Sequence, residues 1–269
     1  MEVKDVPFFQ MIFNKDLRIK IVKMITRAGE GHIPSSFSIL DIVYFLYKNF
    51  LRYNRKNTKW KKRDYFILSK GHGSPALYVV LNKFGIIKDK DILEYGSKVG
   101  ILGGHPDSTH IPGVEASTGS LGHGFPTAIG LALGLKIQKK KNKIIVLLGD
   151  GECHEGTIWE SAHVANNLNL GNVCAIIDWN GSAAQLMPKD DLLKKWKAFG
   201  WKTFVVDGHS NKELEKTFKK IKFSLDGTPN LILAKTIKGK GVSFLEGHGK
   251  WHHKLPNKEE QNKIFKELN

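Results

Sequence analysis

Residues 143–180 read KIIVLLGDGECHEGTIWESAHVANNLNLGNVCAIIDWN, and this stretch decides the fold. Residues 143–148 (KIIVLL) are a nearly unbroken apolar run. That is the pattern of a strand buried on both faces of a parallel sheet, not of one with a wet face. Gly149-Asp150-Gly151 ends the run, residues 157–170 read as a helix, and residues 173–177 are a second buried strand closing on Asp178-Trp179-Asn180. Strand, helix and parallel strand make one βαβ unit. Its right-handed crossover brings both carboxyl ends to one edge, so Asp150 and Asn180 should meet in space. One carboxylate and one amide oxygen, with backbone carbonyls nearby, form a hard-oxygen site suited to Mg²⁺ rather than zinc. A Mg²⁺ held so sparsely completes its shell with phosphate oxygens and water. Gly149 and Gly151 let the backbone approach an anion, and the helix that follows points its N–H groups at it. Either turn alone is common loop chemistry; their spacing across one βαβ unit points to a Mg²⁺-bridged diphosphate at a switch point of the sheet.

Outward from this unit the helix–strand alternation continues through residues 192–199, 202–206, 212–223 and Asn230–Lys235. Towards the N-terminus, residues 8–28 have helical spacing stopped by Gly29-Glu30-Gly31, and residues 38–50 read as a second helix with Ser38 as its N-cap. Tyr65–Leu68 is a short strand, residues 75–84 and 125–135 are helical, and residues 139–143 form an exposed run. Residues 96–124 are rich in Gly, His, Pro, Ser and Thr without periodicity, and so long an irregular stretch is usually functional. The expectation is one α/β domain over residues 1–269, a parallel sheet flanked by helices.

Composition narrows the function. The chain has 269 residues, 41% of them hydrophobic, and a formal charge of +16. Its cations are nearly all lysine, with Arg only at 18, 27, 52, 55 and 63. Lys gives diffuse charge where base and phosphate readout favours the planar Arg fork, so nucleic-acid binding is not expected. No apolar stretch could span a bilayer and the N-terminus carries acids, so a cytoplasmic protein with no membrane partner is expected. Cys153 and Cys174 alone make neither a disulfide framework nor a zinc site.

Further motifs extend the pattern. Gly31-His32, Ser69-Lys70-Gly71-His72-Gly73-Ser74, Gly104-His105-Pro106 and Gly113-Val114-Glu115-Ala116-Ser117-Thr118-Gly119-Ser120-Leu121-Gly122 precede Gly149-Asp150-Gly151 with Glu155-Gly156. Asn180 follows, then Lys235-Thr236 before Gly239-Lys240-Gly241. In this order they resemble the N-terminal half of transketolases, and GDG with Asn180 resembles the thiamine-diphosphate motif. The resemblance implies that Asp150, Asn180 and the Ser182 carbonyl hold Mg²⁺, or Ca²⁺ or Mn²⁺ in its place. It implies that His72, Gly149 and Gly151 contact the diphosphate of thiamine diphosphate, and that Gly119, Ser120 and Leu121 line its rings. His32 and His105 would face the substrate, with a further histidine at His248 or His252, the alignment leaning to His252. Glu155 and Glu160 resemble carboxylates that couple two active sites across a dimer interface. Histidines suit the proton transfers of carbon–carbon cleavage because imidazole titrates near neutrality. His110, His163 and His209 have no motif around them and read as surface or core residues.

Transketolases continue well past this length, and their second domain supplies a glutamate that activates the aminopyrimidine. The resemblance therefore implies a split enzyme, an α2β2 assembly in which a C-terminal subunit completes each site for a sugar or sugar-phosphate substrate. Two departures leave the substrate open: His123 stands where transketolases usually have Gln, and residues 181–191 lack the usual glycine after the metal loop. The alternatives are pyruvate-type donors, as in deoxyxylulose-phosphate-synthase-like or 2-oxoacid-decarboxylating relatives, an unusual-sugar pathway, or a non-enzymatic subunit that binds cofactor. Gly71-His72-Gly73-Ser74-Pro75-Ala76 formally fits a dinucleotide fingerprint, with Asp89 and Asp91 at about the right distance but in a loop. No P-loop is present.

Overall fold

Five parallel strands form one sheet in the computed structural model, which describes residues 14–185, 187–188, 190–249, 251 and 254–269. The strands are β1 (Tyr65–Leu68), β2 (Ile144–Gly149), β3 (Val173–Trp179), β4 (Lys202–Asp207) and β5 (Asn230–Lys235), in the order β1-β2-β3-β5-β4. The register pairs Gly149 with Asp178 and Asp178 with Ala234, so the ends of β2, β3 and β5 lie abreast. The chain reverses its direction of travel across the sheet at β4–β5, which makes the β3/β5 boundary the switch point.

The helices are α1 (Lys15–Ala28), α2 (Ile33–Phe45), α3 (Ser74–Lys83), α4 (Asp89–Leu93), α5 (Gly124–Ile137), α6 (Gly156–Asn167), α7 (Leu192–Ala198), α8 (Asn211–Phe218) and α9 (Lys258–Leu268). Alternate strand residues feed two cores. Ile145, Leu147, Cys174, Ile176 and Ile232 pack with α1–α3, while Val146, Leu148, Ala175, Ile177 and Leu233 pack with α5–α7. Both faces being covered is why the strands read as continuous apolar runs.

Several boundaries differ from the sequence reading. Ser38 is not an N-cap: α2 begins at Ile33 behind His32, and Ser38 sits buried in mid-helix, giving its hydroxyl to Asp178 Oδ1 at 2.6 Å. Nearly all of α2 is buried, so no polar stripe marks its first turn. Leu46–Phe50 continues as π-helix, and α4 occupies the stretch expected as a loop around Asp89 and Asp91. Asp91 there accepts the Lys88 N–H at 2.7 Å as a cap, so the dinucleotide fingerprint finds no acid at a strand end. The unforeseen α9 has a reciprocal capping box between Asn257 and Glu260, legible in the sequence as N-x-x-E. Within the supposed exposed run 139–143, Asn142 is buried, its amide donating to the Lys61 carbonyl at 2.9 Å. Residues 8–13 of the first helix lie outside the described residues. Among the described residues no helix is long and apolar enough to cross a membrane.

Candidate active site

Four strand ends supply the site. After β1 the chain turns through a short 3-10 segment, Gly71–Gly73, into α3. A Cβ on Gly71 would stand 2.8 Å from the Thr118 carbonyl oxygen and 2.9 Å from the Gly119 nitrogen, so the two motif loops touch backbone to backbone. Thr118 secures the contact by donating its hydroxyl to the Leu68 carbonyl at 2.7 Å. The His105 ring lies against Gly119, where a Cβ would be 3.2 Å from it, and the His32 and His72 rings are 5.3 Å apart. His32, His72, His105 and Gly119 are thus brought to one place from four separate segments. Ser120 and His105 are exposed and Leu121 is half-buried.

At the end of β2, Asp150 is buried, and its carboxylate accepts N–H groups from Gly151 at 2.8 Å and Ala183 at 3.2 Å. Burial pushes its pKa up, and the neighbouring Asp178 charge pushes the same way. Such a carboxylate favours a cation beside it. Asn180, at the end of β3, accepts the Ser182 N–H on Oδ1 at 3.0 Å, while its Nδ2 donates to Asp178 at 3.1 Å. The 181–183 turn is therefore held by Asp150 and Asn180 together. Among the described residues no three His, Cys, Asp or Glu side chains cluster as a metal cage. The donor set, one carboxylate with amide and carbonyl oxygens, fits a hard divalent ion that shares its shell with phosphate and water.

Beneath these donors lies a buried charge network that the sequence reading did not assign. Asp178 accepts Lys70 Nζ at 2.5 Å and the hydroxyls of Ser38 and Thr236. Burial works against its ionisation, but the Lys70 charge and these donors hold its carboxyl below the ordinary range. Lys238, in the turn after β5, is 6% exposed and lies within electrostatic reach of Lys70, Asp150 and Asp178. Burial and the Lys70 charge depress its pKa. Two buried ammonium groups, Lys70 shared with Asp178, are thus the cations that this edge offers to an anion. Glu152 ties three motifs at once, accepting Ser69 Oγ at 2.5 Å and the N–H groups of Gly122 at 2.9 Å and Gly149 at 3.1 Å. Lys70 stands inside a motif read from the sequence, whereas Lys238 lies between Lys235-Thr236 and Gly239-Lys240-Gly241 and Glu152 lies one residue past GDG.

Other candidates are placed at the rim. Glu155 and Glu160 are exposed at the start of α6, and Glu155 packs against Gly122, whose Cβ would stand 2.7 Å from it. His123 is exposed at the start of α5 with its Nδ1 3.1 Å from the Leu121 carbonyl. His248 sits beside the 181–183 turn, its Nδ1 3.4 Å from Ser182 Oγ, whereas His252 lies outside the described residues.

Residues 10–268 match the family model described as transketolase, thiamine diphosphate binding domain. An apulose-4-phosphate transketolase subunit from Phocaeicola vulgatus is 37% identical over 256 residues, covering 93% of this chain and 90% of that protein. The 6-deoxy-6-sulfo-D-fructose transketolase subunit SqwG of Clostridium sp. is 37% identical over 237 residues, covering 86% of each. The crystal structure of transketolase from Campylobacter jejuni superposes with a TM-score of 0.85 at 29% identity, over 94% of this chain but 41% of that one.

Proposed function

This chain belongs to the transketolase family as an N-terminal, thiamine-diphosphate-binding half, and on that premise we propose that it is the diphosphate-side subunit of a split transketolase. The enzyme would move a two-carbon ketol unit from a ketose phosphate to an aldose. A second chain would supply the pyrimidine-binding half and the activating glutamate. The observation that carries this reading is the convergence of Asp150, Asn180, Lys70 and Lys238 at the β2/β3/β5 edge with three motif histidines beside them. Relatives of nearly the same length named as subunits support the need for a partner.

Thiamine diphosphate, when bound, supplies a carbon nucleophile and an electron sink for carbon–carbon cleavage. Asp150, the Asn180 Oδ1 and the Ser182 carbonyl would hold Mg²⁺. Lys70, Lys238 and His72 would neutralise the diphosphate, and the bare Gly119 and Gly151 backbones would admit it closely. His32 and His105 would take and return the substrate hydroxyl proton, for which neutral imidazole is suited. Glu155, against the Gly122 turn, and Glu160, exposed on α6, would face a neighbouring chain, in an α2β2 assembly. Names with two different sugar substrates among similar chains favour ketose donors over pyruvate.

The test is a donor panel, ketose phosphates against pyruvate, run on this chain alone and mixed with the C-terminal subunit from its own source. Ketose turnover only in the mixture is expected. Turnover by this chain alone would remove the split-enzyme reading, and a pyruvate preference would move the chain to another branch of thiamine chemistry.

A further inference from the structure

The turn that carries Lys238 is gripped by a buried polar chain lying outside every motif named above. Arg18, fully buried in α1, forks onto Asp41 of α2, with Nη2 to Oδ2 at 2.8 Å and Nη1 to Oδ1 at 3.2 Å. Its Nε donates to the Lys240 carbonyl at 2.9 Å. Asp41 Oδ2 also lies 2.8 Å from Nδ1 of His209, a residue just past β4, and Asn14 donates to Oδ1 at 3.0 Å. The other face of that imidazole meets the loop: the Ile237 N–H points at Nε2 across 3.0 Å. A backbone amide can only donate, so Nε2 is the unprotonated nitrogen and Nδ1 carries the hydrogen shared with Asp41. Between the two grips, the Gly239 N–H donates to the Pro34 carbonyl at 3.0 Å. The backbone is thus fixed one residue before Lys238 and one and two residues after it.

We infer that His209 is a positioning residue for the diphosphate site: anchored through Nδ1–H on Asp41, it holds the Ile237 amide on Nε2 and so sets Lys238 towards the bound anion. The inference rests on the cofactor reading above. It assigns the histidine a role that a merely packed core residue would not have, because the group it holds is a main-chain donor adjoining a site lysine. Asp41 keeps its charge across the working pH range. Burial opposes the Asp41 charge, but the hydrogen bond from His209 and the Arg18 guanidinium bring its pKa down to about 2.

The two nitrogens can be separated by substitution. In His209→Asn the amide can reproduce the Nδ1–H donor but nothing reaches Ile237; in His209→Gln the longer amide can offer an acceptor where Nε2 was. The chain, mixed with its C-terminal subunit, is titrated with thiamine diphosphate and Mg²⁺, and ligand-free hydrogen exchange of the chain is followed in residues 236–241 and in β2. Loss of one backbone hydrogen bond beside the site is expected to weaken binding about tenfold in His209→Asn, with His209→Gln within about threefold of wild type. Exchange in His209→Asn should quicken in residues 236–241 and stay slow in β2. Lys238→Ala should weaken binding as well, and adding His209→Asn to it should change nothing further. Wild-type behaviour of His209→Asn, fully additive effects with Lys238→Ala, or exchange that quickens equally in β2 would each overturn the positioning role. A wild-type mixture with the C-terminal subunit that binds no thiamine diphosphate would overturn the cofactor reading alone, and the exchange measurement would still decide whether His209 holds the loop.

Discussion

Gly71 is a glycine because the place where a side chain would begin is already taken by the Thr118 carbonyl, 2.8 Å away. Its neighbour is main chain and cannot swing aside, so Gly71→Ala should push the two motif loops apart and lower stability by about 1–3 kcal/mol, read from urea unfolding. At Asp150 the larger expected effect is on ligand. Asp150→Ala removes the only carboxylate in the proposed metal set and should weaken Mg²⁺-dependent thiamine diphosphate binding about 100-fold. Residues of this kind were legible because each sits where a strand ends or a tight turn must form, and local pattern marks such places. Glu152, Lys238 and His209 were not. Their partners lie on other segments, Ser69 and Gly122 for the first, Asp150 for the second and Asp41 for the third, and no local periodicity encodes a contact that tertiary folding creates.

Among the elements, the central strands were legible from continuous apolar runs and the helices from their spacing, but α2 was misplaced at its start. Its first turn is as buried as its middle, so the usual change from polar to apolar is missing, and a serine in mid-helix looked like a cap. That serine serves β3 instead. Ser38→Ala should take one hydroxyl donor from the fully buried Asp178 and cost about 1–2 kcal/mol of stability, measurable as a lowered Tm. The same two-faced burial governs the thiols. Cys153 and Cys174 are wholly buried and burial pushes both thiols up, so neither should react with a thiol-specific reagent at neutral pH until the protein unfolds.

Over the whole molecule, the +16 charge is largely a surface property, since only three cations among the described residues are buried: Arg18, Lys70 and Lys238. Two of the three are in the proposed diphosphate seat, which is where charge is tied to function. The third, paired with Asp41, ties stability to pH. Asp41 titrates at about 2 when folded, against an ordinary value of 3.8. The native state therefore takes up this proton later than the unfolded chain does, and the pair's contribution is complete above pH 3.8 and fades as the pH falls towards 2. About 2 kcal/mol is at stake, and Asp41→Asn should flatten that acid limb of the unfolding curve while lowering stability at neutral pH by leaving Arg18 buried without its carboxylate. The most direct test of the site is calorimetric titration of this chain, mixed with its C-terminal subunit, with thiamine diphosphate, with Mg²⁺ and with a chelator in its place, for wild type and Asp150→Ala. Binding that needs the metal and is lost in Asp150→Ala while the protein stays folded at the titration temperature is expected. Binding that ignores both the chelator and the substitution would contradict a diphosphate site built on the ends of β2 and β3.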